Sequence, residues 1–533
     1  MISRRAFLRT AGMATGVTFL GASRLGNAIA HPPMDQTNRW IHPPTDAICL
    51  LPATEMASLI RTGKLSPVDL LEMHIERIKR LEPFINAVTY LDELRALRRA
   101  RAAVKAIAED RVNWDRQPLF GVPFSVKNSL DVKGIQVACG CPTLKYNIAT
   151  KDAFVVAQMK KAGANFLAAT NLPFFSVITE TDSGLHGITK NPYNLDRTPG
   201  GSSGGEAALI AIGCSPMGIG TDAGGSIRFP SAWCGLAGLC PAPRRVSHRG
   251  HFTAFNWGRA GIDEPAFMTV GPMARTVRDL ECMLPIIATP DGKEPITVVD
   301  TPVGKPWNVP ANRIRVAYFT KWRDDRAKPT GEVQDAVESS AQALARRGCD
   351  VQMQRPTFFD ETIDIGDAFC LKEVTPEMLR EASNQFGGQG NVAFERMIAW
   401  WGGLKTRMGN TATKWRNRYP AWREKYLKFM SEVDVLLTPV YPTPAPKHGQ
   451  AFVSKAAGDD TTWAYLVNNV DVVPGGTVRI ATSREESSLG LPIGIQVLGS
   501  PFGEHKVLRI MRELEDEFGG YQPPSDFLPD SQR

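Results

Sequence analysis

The sequence lacks the patterns that mark metal sites and disulfide frameworks. Its nine cysteines are an odd number, are scattered, and include no Cys-x-x-Cys pair; only Cys139 and Cys141 are close together. The eight histidines include no His-Glu-x-x-His motif, and the nearest pair, His248 and His251, has no carboxylate beside it. We therefore predict neither a disulfide framework nor a bound metal ion.

The sequence also lacks a large excess of charge and a long apolar segment. The formal net charge is +7 over 533 residues, of which 22% are charged and 43% apolar. Four arginines lie in the first thirty residues, which contain no acidic residue. The rest of the chain therefore has nearly equal numbers of basic and acidic residues. This composition is that of a soluble globular protein, and it gives no reason to expect a nucleic-acid partner.

The first thirty residues have the pattern of an export signal. The segment SRRAFL at 3–8 precedes a mildly apolar run at 11–22 and an Ala-x-Ala site at 28–30. The alternative is an uncleaved anchor, but a span needs ~20 apolar residues and the run is shorter. We predict a twin-arginine signal peptide over 1–30, and a periplasmic or otherwise exported catalytic domain over 31–533.

Short apolar segments alternate with helical patterns through most of the chain. Ser66 and Pro67 supply an N-cap and a first helical residue. Strands are predicted at 122–126, 166–169, 217–220, 314–319, 435–437 and 493–498, and helices at 91–108, 153–162, 206–212 and 505–518. This alternation predicts an α/β fold, and strands from both halves favour one interleaved domain. A mainly helical insertion is expected around 360–430, and a surface loop at 290–310.

Two loops rich in glycine and serine are the most unusual feature. The first reads PGGSSGG at 199–205 and the second GTDAGGSIRFP at 220–230. Glycine at this density lets a ligand approach backbone N–H groups closely, as in an oxyanion hole. A serine in such a loop can act as a nucleophile where a base is near.

Other interpretations of these loops use the same residues. Ser and Gly also form flexible loops that cap helices, and that alternative stays open on composition alone. A Gly-x-Ser-x-Gly match at 200–204 suggests a nucleophile elbow, but the segment before it, 191–199, is polar and turn-rich instead of a buried strand. A phosphate-binding loop is excluded because no Gly-Lys-Ser/Thr follows.

With GVPFSVK at 121–127 upstream, the two loops resemble the amidase signature family, serine hydrolases with a Ser–Ser–Lys triad. The resemblance covers nearly all of the mature chain, through TNLP at 170–173 and GPMAR at 271–275 to LPIGIQ at 491–496. The loops are most similar to the fatty acid amide hydrolase branch. The resemblance implies a single α/β domain whose central mixed, twisted sheet is covered by helices on both faces.

The resemblance also implies a role for each matched residue. Ser226 would be the nucleophile, Ser202 the proton relay and Lys127 the base. Burial can lower the pKa of a lysine by several units from its usual ~10.4, which makes the amine a base at neutral pH. The oxyanion hole would consist of four consecutive backbone N–H groups, those of Ala223, Gly224, Gly225 and Ser226.

Further residues are candidates for substrate binding or loop support: Ser176, Ser203, Asp222 and Arg228. For Asp222 and Arg228 we favour loop support through charge-assisted hydrogen bonds. The sequence departs from the family at 239–242, where LCPA replaces the Leu-Lys-Pro-Thr of many relatives. The departure leaves the triad intact, but acyl-pocket specificity cannot be carried over.

The segment 391–430 is rich in aromatic and basic residues. It could contact a membrane or roof an apolar substrate channel; alternatively, the aromatics pack internally and the basic residues face solvent, which we favour.

The sequence therefore predicts an exported amidase that cleaves a small-molecule amide through an acyl-enzyme, without metal or organic cofactor. The substrate is expected to be an apolar or fatty-acyl amide. Aryl-acylamide, carbamate or ester hydrolysis, and a catalytically silent periplasmic binding protein, are the alternatives. A component of a transamidase for charged tRNA does not fit an exported protein. A homodimer stays open.

Overall fold

The computed structural model describes residues 46–252, 268–293, 303–322, 327–373, 375–387, 391–451, 462–470 and 472–528. The predicted signal peptide at 1–30 lies outside these residues, as does part of the predicted loop at 290–310.

The described strands form one mixed sheet of eleven strands and a separate two-stranded ribbon. The large sheet contains β1 (Val88–Leu91), β2 (Pro123–Lys127), β3 (Asn165–Thr170), β6 (Met217–Asp222), β7 (Ala237–Cys240), β8 (Thr269–Ala274), β9 (Arg315–Tyr318), β10 (Asp350–Met353), β11 (Val435–Pro439), β12 (Gly475–Thr482) and β13 (Pro492–Gly499). The ribbon contains β4 (Asp182–Ser183) and β5 (Gly187–Ile188).

The described helices cover this sheet. They are α1 (Ala53–Arg61), α2 (Pro67–Ile85), α3 (Glu93–Ala108), α4 (Phe154–Lys161), α5 (Gly204–Ala211), α6 (Arg228–Trp233), α7 (Val277–Ile287), α8 (Gly331–Arg346), α9 (Thr362–Glu373), α10 (Pro376–Phe386), α11 (Val392–Met408), α12 (Thr411–Glu432), α13 (Thr462–Asn468) and α14 (Glu504–Phe518). The predicted α/β class with a mixed sheet and flanking helices is confirmed.

The order of strands in the sheet brings both halves of the chain together. It runs β1-β3-β2-β6-β8-β7-β12-β13-β11-β9-β10. Strand β2 is parallel to both β3 and β6, whereas β12 is antiparallel to β7 and β13. All five residues of β2 and all six of β6 are buried, as expected for central strands covered on both faces.

Local caps fix where two helices begin. The Ser66 hydroxyl accepts a hydrogen bond from the Val68 N–H at 3.2 Å, and Pro67 is the first residue of α2, as predicted. The Asp279 carboxylate in α7 accepts the N–H groups of Ala53 at 3.1 Å and Thr54 at 2.9 Å. It therefore satisfies the free donors at the start of α1, which lies far away in sequence.

Helices α9 to α12 occupy the stretch where an insertion was expected, and several of their aromatic residues are buried. Phe394 and Tyr426 are fully buried, and Trp422 donates its indole N–H to the Phe358 carbonyl at 3.1 Å. On the outside, Lys405 pairs with Glu377 at 3.0 Å. These contacts agree with internal packing of the aromatics. No helix among the described residues is both long enough and apolar enough to cross a membrane.

Candidate active site

Lys127 is the last residue of the buried central strand β2. Its side chain has no solvent exposure, and its Nζ donates to the Ser202 Oγ at 2.7 Å and to the Thr221 Oγ1 at 2.8 Å. Burial lowers the pKa of the amine from its ordinary 10.5 to about 7, although nearby acidic groups oppose the shift. A large fraction of Lys127 is therefore the neutral amine, a competent base, at neutral pH.

Ser202 lies in a loop whose shape depends on glycine. The Gly201–Ser202 peptide bond is cis. Gly200 has a φ of +95°, and a Cβ at Gly201 would lie 2.7 Å from the backbone N and O of Glu180. The first glycine-rich loop therefore cannot be a generic flexible cap, because its glycines are required by close backbone contacts.

Ser203 joins the two loops. Its N–H donates to the Ser226 carbonyl at 3.2 Å, and its hydroxyl donates to the Thr221 carbonyl and accepts the Thr221 N–H, each at 3.2 Å. Ser203 is fully buried, whereas Ser226 is half-buried at the mouth of the second loop. Of the two roles considered for Ser203, these contacts favour loop support.

Asp222 and Arg228 form a fully buried ion pair below the second loop. The Asp222 carboxylate accepts from the Arg228 Nη2 at 2.9 Å and from the N–H groups of Gly225 at 2.8 Å and Ile227 at 3.1 Å. Burial acts to raise the pKa of Asp222, but Arg228 and these N–H donors outweigh it and hold the pKa at about 2. The pair therefore stays charged and fixes the loop, in agreement with loop support.

Two further side chains complete this network and were not predicted. Asn468, the last residue of α13, donates to the Asp222 Oδ1 at 3.1 Å and accepts from the Arg228 guanidinium. Gln496 in β13 also accepts from Arg228 and donates to the Thr438 Oγ1 at 3.1 Å. Gln496 falls in the LPIGIQ motif, which could have pointed to it, whereas Asn468 lies in a segment without such a motif.

The second loop presents backbone N–H groups beside Ser226. Gly225 has a φ of +99°, and a Cβ there would lie 2.4 Å from the Phe229 ring; a Cβ at Gly224 would meet no atom within 4 Å. The Gly225 N–H is directed to Asp222. Among the described residues, the N–H groups of Ala223, Gly224 and Ser226 have no hydrogen-bond partner. Three of the four predicted oxyanion donors are thus uncommitted.

Ser176 lies in a turn near the Lys127 end of β2. It has a φ of +62°, follows Phe175 with a φ of +51°, and its Oγ is 3.9 Å from the Cys139 Sγ. The Cys139 N–H in turn donates to the carbonyl of Asn128, the residue after Lys127, at 3.2 Å. These contacts link Ser176 through Cys139 to the segment that follows Lys127, and the described hydrogen bonds of Ser176 include none to a proposed triad residue.

The described residues contain no group of three or more His, Cys, Asp or Glu side chains able to hold a metal ion. The eight cysteines whose side chains are described are all free thiols.

Comparison with known proteins assigns the chain to a family. The family model named Amidase matches residues 69–508, which is most of the sequence. The chain belongs to the amidase family, the amidase signature enzymes, and is a hydrolase that acts on amide bonds.

The curated relatives differ in the amides that they act on. Indoleacetamide hydrolase of Bradyrhizobium diazoefficiens is 32% identical over 88% of this chain and 86% of its own. One of the subunits of glutamyl-tRNA(Gln) amidotransferase from Geotalea daltonii is 30% identical over 86% of this chain and 96% of its own. Human fatty-acid amide hydrolase 2 is 28% identical over 91% and 92%. Sequence identity therefore establishes the family and its type of reaction, but it does not select one substrate.

Solved structures give the same fold. Fatty acid amide hydrolase superposes with a TM-score of 0.75 at 23% identity, over 90% of this chain and 87% of that one. 6-Aminohexanoate cyclic dimer hydrolase superposes with a TM-score of 0.73 at 24% identity, over 90% and 99%.

Proposed function

We propose that this chain is an exported amidase that hydrolyses a carboxylic amide through an acyl-enzyme on Ser226, with Ser202 as proton relay and Lys127 as base. The observation that carries this proposal is the 2.7 Å contact between the Nζ of Lys127 and the Oγ of Ser202, both of which are buried side chains. An amine in this setting takes a proton from a hydroxyl at neutral pH, which a solvated lysine does not.

In the first half of the reaction the Ser226 Oγ bonds to the substrate carbonyl carbon. Its proton passes to Ser202 as the Ser202 proton passes to Lys127, which becomes an ammonium. The carbonyl oxygen becomes an oxyanion beside the backbone N–H groups of the second loop. Each such donor is worth ~2.7–4 kcal/mol of transition-state stabilisation.

In the second half the C–N bond breaks. Lys127 returns its proton through Ser202 to the departing nitrogen, so that the product leaves as a neutral amine or ammonia. Water then attacks the acyl-enzyme with the same base, and the acyl group is released as a carboxylate. Apart from the water that hydrolyses the acyl-enzyme, the proposed route uses only side chains and backbone groups of this chain.

We further propose an apolar or fatty-acyl amide as the substrate. The similarity to fatty-acid amide hydrolase 2 supports this choice. Aryl amides, carbamates and esters suit the same triad, and the silent binding protein remains the alternative from another class.

The test uses the full chain and the chain from His31 onward. Release of amine is measured for amides that share one leaving group and carry acyl chains from acetyl to long-chain, beside Ser226→Ala. Turnover that is lost in the variant and rises with chain length supports both parts of the proposal. Turnover on acetyl amides alone would overturn the substrate class. Absence of turnover and of phosphonate labelling at Ser226 would favour the binding protein.

A further inference from the structure

The ion pair below the second loop is completed by a side chain from a distant part of the chain. Asn468 is the last residue of α13, and its side chain is buried. Its Nδ2 donates to the Asp222 Oδ1 at 3.1 Å, and its Oδ1 accepts from the Arg228 Nη2. Among the described hydrogen bonds, those of Asn468 are the only ones from a side chain outside the pair that reach both members.

The Arg228 guanidinium has an acceptor for each of its five N–H donors. Its Nε donates to Asp222 at 3.0 Å, and its Nη2 donates to Asp222 and to Asn468. Its Nη1 donates to the Ala464 carbonyl at 3.2 Å and to the Gln496 Oε1. Loss of the Asn468 amide would therefore leave a buried, charged N–H group without an acceptor, which is costly.

The carboxylate oxygen that Asn468 binds is also the one that holds the second loop. The Asp222 Oδ1 accepts the Gly225 N–H at 2.8 Å. In the described part of the chain, the N–H groups on either side, those of Gly224 and Ser226, have no partner. Because each peptide group is planar, fixing one N–H restricts the directions of its neighbours. The position of the Asp222 Oδ1 therefore restricts the N–H groups that we propose as oxyanion donors.

An amide is the side chain that suits the place between a carboxylate and a guanidinium. It offers a donor to the first and an acceptor to the second, and only one orientation of the Asn468 amide satisfies both. An aspartate there would place a second carboxylate against Asp222. A leucine of similar size would offer neither a donor nor an acceptor. The contacts of Asn468 are therefore specific to its chemistry as well as to its shape.

We propose that Asn468 is a positioning residue for the oxyanion hole, which fixes the Asp222 Oδ1 and thereby the directions of the N–H groups in the second loop. The inference rests on the proposed function, in which the substrate carbonyl oxygen becomes an oxyanion beside this loop. Asn468 acts through Asp222, and the oxyanion forms only in the transition state. Loss of Asn468 should therefore lower kcat without raising KM.

The experiment compares Asn468→Leu with the parent, both as the full-length chain. The kcat and KM are measured for the amide that the parent hydrolyses fastest, and active sites are counted by labelling Ser226 to completion with an alkyl fluorophosphonate. We expect kcat per labelled site to fall ~10²-fold while KM stays within about twofold of the parent, because small misplacements near the reacting atoms have effects of this size. A role in folding alone would reduce the number of labelled sites and leave kcat per labelled site unchanged, which would overturn the inference.

An alkylboronic acid measures the oxyanion hole independently of turnover. The Ser226 Oγ bonds to boron, the hydroxyl proton passes through Ser202 to Lys127, and the boron becomes tetrahedral and negatively charged. One boron-bound oxygen then takes the place of the oxyanion. We expect the inhibition constant to rise ~10–10²-fold in Asn468→Leu. A lower kcat with an unchanged inhibition constant would overturn the inference, because the defect would then lie outside the oxyanion hole.

Asn469→Leu is the matched control. Asn469 is the next residue in the chain, but its Nδ2 donates to the Thr362 carbonyl at 3.1 Å, at the start of α9, and its described hydrogen bonds include none to the ion pair. Its substitution should leave kcat, KM and the inhibition constant at the parent values. Equal losses in Asn468→Leu and Asn469→Leu would overturn the inference, because they would reflect general damage around the end of α13.

Failure of the inference and failure of the proposed function give different results. A parent chain that neither hydrolyses an amide nor is labelled at Ser226 would overturn the proposed function, and the inference with it. An active parent beside an Asn468→Leu variant with the same kinetics would overturn the inference alone.

Asn468→Ala serves if Asn468→Leu does not fold. The smaller side chain leaves room for a water molecule that can bind both Asp222 and Arg228. We therefore expect a smaller fall in kcat per labelled site, ~10-fold, again without a rise in KM. A value of kcat equal to that of the parent would overturn the inference.

Discussion

The Nζ of Lys127 is 2.7 Å from the Oγ of Ser202, and neither side chain is accessible to solvent beyond 1% of its surface. The contact joins the end of a central strand to a glycine-rich loop. Because the amine is buried, its proton affinity is set by the protein and not by water. Both the pH dependence of turnover and the stability of the fold should therefore respond to this amine.

The pH dependence of turnover should report Lys127. Only the neutral amine can accept the Ser202 proton, and burial lowers its pKa to about 7. We expect kcat/KM to fall below pH 7 by about tenfold per unit, since one proton blocks the base. Profiles of kcat/KM for one amide between pH 5 and 9 measure this. A value of kcat/KM that stays constant from pH 7 down to pH 5 would show that Lys127 is not the base.

Lys127→Met should lose activity and gain stability. General-base removal costs ~10²–10⁴-fold in rate. Lys127 is protonated in the unfolded chain, but folding buries it and favours the neutral amine. Between the folded and the unfolded pKa of Lys127, the unfolded state therefore binds more protons than the folded state. The free energy of unfolding consequently decreases as the pH falls through that range. Methionine does not carry this cost. Urea unfolding at pH 7.5 should give a higher midpoint for the variant, and a lower midpoint would contradict the explanation.

The proposed triad follows from a family resemblance carried by short contiguous motifs, and the structure places two of its residues, Lys127 and Ser202, in hydrogen-bond contact. The strands at 122–126 and 217–220 and the helix after Ser66 were also predicted from local pattern, and the structure confirms them. Strand β8 was not predicted, because Gly271 and Pro272 interrupt its apolar pattern, although Pro272 is paired with Ile219 inside the sheet.

Contacts between distant segments could not be predicted. Asn468 is 240 residues from Arg228 in the chain, and only tertiary packing brings its amide into the loop network. Glu206 was predicted to begin a helix, but its burial over Gly218 depends on three strands that come together in the sheet. Such residues have ordinary local sequence, so periodicity and motif spacing carry no signal for them.

Breaking the Asp222–Arg228 pair should unfold the second loop. Arg228→Met leaves the Asp222 carboxylate buried without its cation, and removal of one partner of a buried pair costs ~3–5 kcal/mol.

The wild-type pair also predicts that stability depends on pH. The pKa of Asp222 is about 2 when folded, so its contribution is complete above the unfolded value near ~3.9 and is lost as the pH falls toward 2. Denaturant titrations at pH 7 and pH 3 measure both effects. The surface change Lys405→Met, which breaks an exposed pair, should leave the unfolding midpoint nearly unchanged.

Gly225→Ala should abolish turnover with little effect on the pKa of Lys127. A methyl group at this position would lie 2.4 Å from the Phe229 ring, and the φ of +99° is one that alanine rarely adopts. The loop must then move, and it carries the backbone N–H groups that we propose as oxyanion donors. Loss of one donor alone lowers kcat by ~10²–10³-fold. Gly224→Ala is the matched control for volume, since a methyl group there meets no atom within 4 Å. Similar losses in both variants would show that the loop's strain is not the cause.

The proposed export depends on Arg4 and Arg5 as a pair. Arg4→Lys with Arg5→Lys keeps the charge of the segment but removes the two consecutive arginines that define a twin-arginine signal. We expect the doubly substituted chain to accumulate in the cytoplasm of a bacterial host with this pathway, whereas the parent is found in the periplasm. Arg9→Lys with Arg24→Lys makes the same two substitutions outside the pair, also without a change of charge, and should leave export intact. Fractionation followed by labelling of Ser226 with the fluorophosphonate measures location and folding together. Equal export of both double variants would remove the twin-arginine assignment, and the catalytic proposal would be unaffected because it rests on residues that lie outside this segment of the sequence.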